Sequence, residues 1–229
     1  MDSISWNDKK VVSVDLRKFG IGVGEEKYEE EEICEIRLDS PEYPYLLSKI
    51  EKPPEVLYAK GNTDLLHKPA VAIVGARELS EAGAKYAREI AKFYARKGFV
   101  IVSGLALGAD TIAMKSALES GGRVIAVLPT LGKIIPKSNE ELANEILDNE
   151  GLLISEWIAR SVRKYMYIKR NRIISGISLG IVVVETGIEG GTMHTVDYAK
   201  KQKRLIIVAD TPADGNRKLI EEGYPVFKL

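Results

Sequence analysis

A chain of 229 residues, 45% of them hydrophobic, can bury the core of one α/β domain carrying a short appendage, and one such domain is expected rather than two. Its 33 Lys and Arg are matched by 33 Asp and Glu, which excludes a generally cationic coat for nucleic acid; affinity for a polyanion would have to come from a local patch. One cysteine, Cys34, excludes an internal disulfide and fits a reducing compartment, and with only His67 and His194 in the chain there is no cysteine or histidine cluster for a metal.

Residues 1–38 are expected to form an N-terminal extension and residues 39–229 the domain, with its core over about residues 70–210. The chain has no charged-then-apolar leader pattern and no apolar run near the ~18 residues that a membrane helix needs, so it is expected to be soluble and cytoplasmic, without membrane contact. In the extension Glu25, Glu26, Glu29, Glu30, Glu31, Glu32 and Glu35 stand against a single Lys27. Such a run reads as a solvated face, or else as a nucleic-acid mimic that folds over a basic surface. Tyr43-Pro44 then opens a short helical stretch holding Leu46, Leu47 and Ile50, Pro53-Pro54 stops it, and Val56, Leu57 and Tyr58 make a strand that ends at the Gly61-Asn62 turn.

From Ala70 onward the pattern is regular. Apolar runs of strand length recur at residues 71–74, 100–102, 124–128, 152–154, 181–184 and 205–208, separated by segments long enough for helices. In the first such segment, residues 80–97, Ala87, Ile90, Ala91 and Tyr94 share one helical face and Gly98 marks the stop. Continuous Val/Ile runs, in place of apolar/polar alternation, describe strands covered on both faces. They predict an α/β fold: a Rossmann-like, doubly wound, mainly parallel sheet with helices on each side. Residues 215–229 add a last helix and a short strand.

In such a sheet, ligands sit beyond the carboxyl ends of the strands, so the loops leaving each apolar run are the ones to examine. Three carry glycine: Gly75-Ala76-Arg77 after the first run, SGLALGAD (residues 103–110) after the second, and ETGIEGGT (residues 185–192) after the fifth. Glycine lets backbone amides approach a phosphate closely, and a following helix start adds its dipole. None of the three is a GxGxxG or GxxxxGK[ST] pattern, and glycine after a strand is often only a tight turn. Alongside them lies a concentration of positive charge. Residues 157–184 contain no Asp or Glu, and hold Arg160, Arg163, Lys164, Lys169, Arg170 and Arg172 interleaved with Trp157, Tyr165 and Tyr167. Lys169, Arg170 and Arg172 are expected in the first turns of a helix, where the macrodipole disfavours cations, so a bound anion accounts for them more simply than stability does. Asp110 is expected to cap the helix over residues 111–120, Glu185 to order the glycine loop or pair with an arginine, and His194 to be a surface or packing residue. With no nucleophile and base in an evident pairing, catalytic residues are not expected.

The chain resembles the DNA-processing protein A family, also written DprA or Smf. The resemblance is carried in order by YPYLLSKIEKPPEVLYAKGN, VAIVGARELSEAGAKYA, IVSGLALGADTIAMKSAL, VIAVLPTLGKIIPKSN, GLLISEW, YIKRNRIISGIS, VVVETGIEGGT and, less closely, DGNRKLIEEGYPVF, over about residues 39–227. It implies a homodimeric, Rossmann-like protein that binds single-stranded DNA in a basic pocket, takes part in DNA uptake and recombination, and loads a RecA-type recombinase. Carried onto this sequence, the pocket implied is Gly75, Arg77, Ser103, Gly104, Lys169, Arg170, Asn171 and Arg172, with Gly190, Gly191 and Thr192 in the last loop. The sequence departs from the family's pattern at Met114, where histidine is usual, and at LPTLGKIIP, which replaces a more glycine-rich loop; it also ends without the winged-helix domain that many members carry.

The expected function is therefore a non-enzymatic binder of single-stranded DNA, with Arg77, Lys169, Arg170 and Arg172 on phosphates, loop amides beside them and Tyr165 or Tyr167 for base stacking. No cofactor or metal is expected. The alternative is a nucleotide-binding sensor or an enzyme similar to the phosphoribohydrolases, whose PGGxGT loop this sequence does not reproduce in order.

Overall fold

The computed structural model describes residues 33–229. Each central strand is buried end to end: β3 (Ala70–Val74), β4 (Val100–Ser103), β5 (Val124–Val127), β6 (Leu152–Ser155) and β7 (Gly180–Val183). Side chains alternate across a strand, and here both faces are covered. Val71, Ile73, Ile101, Val124, Ala126 and Val182 enter one core, while Ala72, Val74, Val102, Ile125, Val127, Ile181 and Val183 enter the other. The first core is closed by α2 (Glu81–Arg96), α3 (Ala109–Glu119) and α4 (Glu140–Asp148). The second is closed by α1 (Tyr45–Ser48), α5 (Lys164–Gly176), α6 (Gly191–Lys201) and α7 (Asp214–Glu221). The remaining strands are β1 (Cys34–Arg37), β2 (Val56–Gly61), β8 (Leu205–Ala209) and β9 (Val226–Phe227).

The strands make one nine-stranded sheet in the order β1-β2-β6-β5-β4-β3-β7-β8-β9, parallel throughout except for β1 on β2 and β2 on β6. The expected doubly wound α/β fold is what forms. The chain moves outward from β3 to β6 with its helices on one face, crosses back through α5, and moves outward again from β7 to β9 with its helices on the other. The reversal lies between β3 and β7, where the connections leaving the two strands diverge and leave a crevice beyond their carboxyl ends. Of the expected extension only residues 33–38 are described, and there β1 joins the sheet beside β2. The acidic residues 25–32 lie outside the described residues.

Helix boundaries follow local chemistry. Ser80 caps α2 by accepting from the Gly83 amide at 3.0 Å, and beyond its end Gly98 takes φ 81°, where a side chain would be strained. The α5 helix begins earlier than expected. It starts at Lys164, so Lys169, Arg170 and Arg172 lie in its second and third turns instead of the first. The macrodipole argument for a bound anion thus does not apply to these three side chains, because the effect fades within the first turn. Among the described residues no helix is long and apolar enough to cross a membrane.

Candidate nucleic-acid interface

The crevice between β3 and β7 is a cavity of about 490 Å³. Its lining comes from four segments: the loop after β3 (Gly75, Ala76, Arg77), the face of α5 bearing Tyr167, Ile168, Arg170, Asn171 and Ile174, the loop after β7 (Thr186, Gly187, Glu189) and the start of α6 (Gly190, Gly191, Thr192, His194, Thr195), with Ala106 and Asp110 behind.

The loop after β3 is pinned at both ends. The Ala76 amide donates to the Glu185 carbonyl at 2.8 Å and the Ala76 carbonyl accepts from Ala109 at 3.1 Å. A Cβ on Gly75 would lie 2.6 Å from that of Ala109, so this position has no space for a side chain. Glu185 does not order its own glycine loop. Its carboxylate accepts from the Ser80 amide at 3.1 Å and hydroxyl at 2.9 Å, tying the start of α2, and with it the exposed Arg77 loop, to the end of β7.

Behind the cavity, Ser103 and Gly104 form a cradle for Arg170. The Ser103 hydroxyl donates to the Ile73 carbonyl at 2.6 Å, and a Cβ on Gly104 would overlap the Arg170 guanidinium. Asp110 is not the helix cap that was expected, since Gly108 precedes α3 and no side chain caps it. The buried Asp110 carboxylate instead accepts from the Gly104 amide at 3.0 Å and from Ala106 at 3.3 Å, and faces Arg170. Burial pushes this carboxyl above its ordinary range, while the Arg170 charge and the two amides pull it back. Burial likewise lowers the Arg170 guanidinium, and Asp110 opposes that. Arg170 also donates to the Val127 carbonyl, and its Nε, buried, has no hydrogen-bond partner.

The expected site residues thus separate into three groups. Gly75, Arg77, Arg170, Asn171, Gly190, Gly191 and Thr192 meet around the cavity, with Asn171 donating to the Gly191 carbonyl at 3.2 Å. Ser103 and Gly104 stand behind Arg170. Lys169 and Arg172 do not line the cavity: Lys169 is exposed over the Tyr165 ring, and Arg172 is paired with Glu156 at 2.7 Å and donates to the carbonyls of Lys52 at 2.9 Å and Lys169 at 3.0 Å. Arg172 therefore joins α5 to the β2 and β6 connections. His194, read as a surface or packing residue, is exposed at the cavity. Asn216 went unmarked in the sequence; fully buried in α7, it accepts from the Thr186 amide at 2.8 Å and donates to the carbonyls of Val184 and Ala209, holding the third loop open. No side chain caps α6 and its first turn has no acid, so its free amides stand at the cavity rim.

A doubly wound sheet with an amide-lined crevice at its switch point, bearing Arg77 and Arg170, defines a class of proteins that hold their ligands beyond the carboxyl ends of the strands. Within that class the family is specific. The sequence profile of DNA recombination-mediator protein A matches residues 35–228, and the chain belongs to that family. It is 38% identical over 188 residues to DNA processing protein DprA of Streptococcus pneumoniae, covering 79% of this chain and 66% of that protein. It is 36% identical over 203 residues to the Bacillus subtilis protein of the same name, covering 86% and 68%. The relatives are thus longer than the matched region. The solved structure of the S. pneumoniae protein superimposes with a TM-score of 0.79 over 84% of this chain and 70% of that one. DNA processing protein A from Helicobacter pylori, whose structure addresses that protein's single-stranded DNA binding mode, gives 0.76 at 30% identity, over 84% and 90%.

Proposed function

We propose that this chain binds single-stranded DNA without catalysis, seating the backbone in the crevice between β3 and β7. The observation that carries the proposal is the convergence of Arg77, Arg170 and the uncapped start of α6 on one cavity. Arg77 and the Gly190, Gly191 and Thr192 segment take the phosphate, and Arg170 and Asn171 form the wall that it meets. Gly75, Ser103 and Gly104 keep that wall clear and in place. Asp110 offsets the charge of Arg170, so the attraction rests on Arg77 and the amides more than on the buried guanidinium. Family membership supports a role in DNA recombination, with a RecA-type recombinase receiving the strand and a second copy of this chain completing a homodimer.

The test is a titration of labelled oligonucleotides, single- and double-stranded, across a salt series. Wild type should favour the single strand, with affinity falling steeply as salt rises; Arg77→Ala should weaken binding and flatten the logarithmic slope by about 0.7. Absence of binding at low salt, or a slope that Arg77→Ala leaves unchanged, removes the proposal. A cavity of about 490 Å³ is also the size of a small-nucleotide site, so nucleoside monophosphates belong in the same titration. Release of free base from them would establish the enzymatic alternative.

A further inference from the structure

Beside the cavity, and outside its lining, the carboxyl ends of β5 and β6 carry a second surface. The loops leaving these strands are locked to one another. The Thr130 hydroxyl donates to the Ala159 carbonyl at 2.9 Å and accepts from the Ala159 amide at 2.7 Å, and the Leu131 amide donates to the Trp157 carbonyl at 2.9 Å. Residues 128–139 and 157–184 contain no Asp or Glu, yet Lys133, Lys137, Arg163, Lys164 and Lys169 are all exposed along them. Glu156, which follows β6, is engaged by Arg172, and the nearest exposed carboxylates in sequence, Glu140 and Glu141, belong to the first turn of α4. On this ground stand two aromatic rings, Trp157 and Tyr165, edge to face with centroids 6.2 Å apart, and the Lys169 ammonium lies 5.6 Å from the Tyr165 centroid. Tyr165 is 46% exposed, which a ring serving only to pack would not need to be.

We propose that the Tyr165 ring, braced by the perpendicular Trp157 ring, forms a stacking platform for an unpaired base of the same DNA strand, next to the nucleotide held in the cavity; this rests on the reading of the cavity given above. One helix joins the two places. Tyr167, Arg170 and Asn171 of α5 face the cavity, while Tyr165 and Lys169 face the β5 and β6 loops, so the strand has only to pass over the helix's first turns, a width of about 10–12 Å. Those turns present Arg163 and Lys164 to its phosphates. An incoming base takes the place of the Lys169 ammonium on the Tyr165 ring, and the ammonium, on its flexible stem, moves to the adjoining phosphate. The occupant is a single strand because a duplex keeps its bases stacked on one another and offers no free face. The platform thus supplies what charge cannot: a preference for single-stranded over double-stranded DNA.

The test compares oligonucleotides of about four and about twenty nucleotides, and a duplex, with Tyr165→Ala and Tyr165→Phe. Tyr165→Ala should weaken the long single strand about ten-fold, with the short strand and the duplex unchanged, and Tyr165→Phe should bind as wild type. In a Trp6→Phe background Trp157 is the only tryptophan, and its emission should be quenched by the long strand. A long-strand affinity untouched by Tyr165→Ala, with Trp157 emission unchanged, overturns the proposal; so does an equal loss for all three ligands, which would mark a structural role. Loss of binding in Arg77→Ala but not in Tyr165→Ala upholds the cavity and overturns the platform, and the reverse upholds the platform and overturns the cavity.

Discussion

The buried pair of Asp110 and Arg170 makes the most demanding prediction, because each side chain is retained by the other. In Arg170→Met the Asp110 carboxylate remains buried with only the Gly104 and Ala106 amides; in Asp110→Asn the guanidinium remains with the Val127 carbonyl. Each change leaves a buried charge without its counter-charge, at a cost of about 3–5 kcal/mol. The double variant removes both charges, so its loss should fall short of the sum by about 2–3 kcal/mol. Urea unfolding of the four proteins reads this directly. The pH dependence has a definite sign. Burial raises the folded carboxyl of Asp110 above its ordinary 3.8, so between that value and the raised one the folded state binds more protons than the unfolded. This contribution is full at acid pH and is lost as pH rises through the raised value; Asp110→Asn should abolish that decline. DNA binding separates the two duties of Arg170: the double variant should recover stability without recovering wild-type affinity. Single losses that add to within about 0.5 kcal/mol would refute the coupling, and wild-type affinity in the double variant would refute the contact with the strand.

Other expectations follow from the same geometry. Arg172→Ala should cost about 3 kcal/mol in urea unfolding by leaving Glu156 without its partner, while the salt slope of DNA binding measured well below the unfolding midpoint stays that of wild type. Glu185→Ala should lower both stability, by about 1 kcal/mol, and DNA affinity, because the Ser80 amide and hydroxyl lose their acceptor and the Arg77 loop its anchor; Glu185→Gln, which keeps an acceptor oxygen, should retain most of both by the same two measurements.

The six apolar runs were legible because burial on both faces writes itself as uninterrupted Val and Ile, and each run became a strand. The crevice was legible for a related reason: glycine-bearing loops after the first, second and fifth runs can converge only at one edge of a parallel sheet. What the sequence did not reveal was the direction in which each cation points. Arg170 and Arg172 are two positions apart on one helix, about 200° around its axis, so both cannot face the same crevice. One lines the cavity and the other joins α5 to Glu156 and Lys52. Helical phase separates them wherever the helix starts, but it does not say which of the two faces the crevice; the start itself was unmarked because Arg163, and no Ser, Thr, Asp or Asn, stands directly before Lys164. Asp110 was misjudged for a different reason. An acidic residue near a helix start reads as a cap, and its role as counter-charge to Arg170, sixty positions later, exists only after the fold has brought the start of α3 and α5 together.

A protein of zero net charge attracts a polyanion only where its carboxylates have been removed or turned to other work, and both devices occur on this edge. Residues 128–139 and 157–184 omit carboxylates altogether, while Asp110, Glu156 and Glu185 are each engaged inward, by Arg170, Arg172 and Ser80, and Glu189 alone of the cavity's carboxylates is exposed. The exposed field at the carboxyl ends of β5, β6 and α5's first turn is therefore positive although the molecule as a whole is not, and salt will screen it over about 10 Å at 0.1 M. Such a field draws single and double strands alike. Discrimination has to come from short-range contacts, and those available are a crevice of about 490 Å³, the size of a single nucleotide's site, and the Tyr165 ring, which requires an unpaired base. If binding proves steeply salt-dependent but indifferent to strandedness, the charge has been read correctly and the cavity and rings have not.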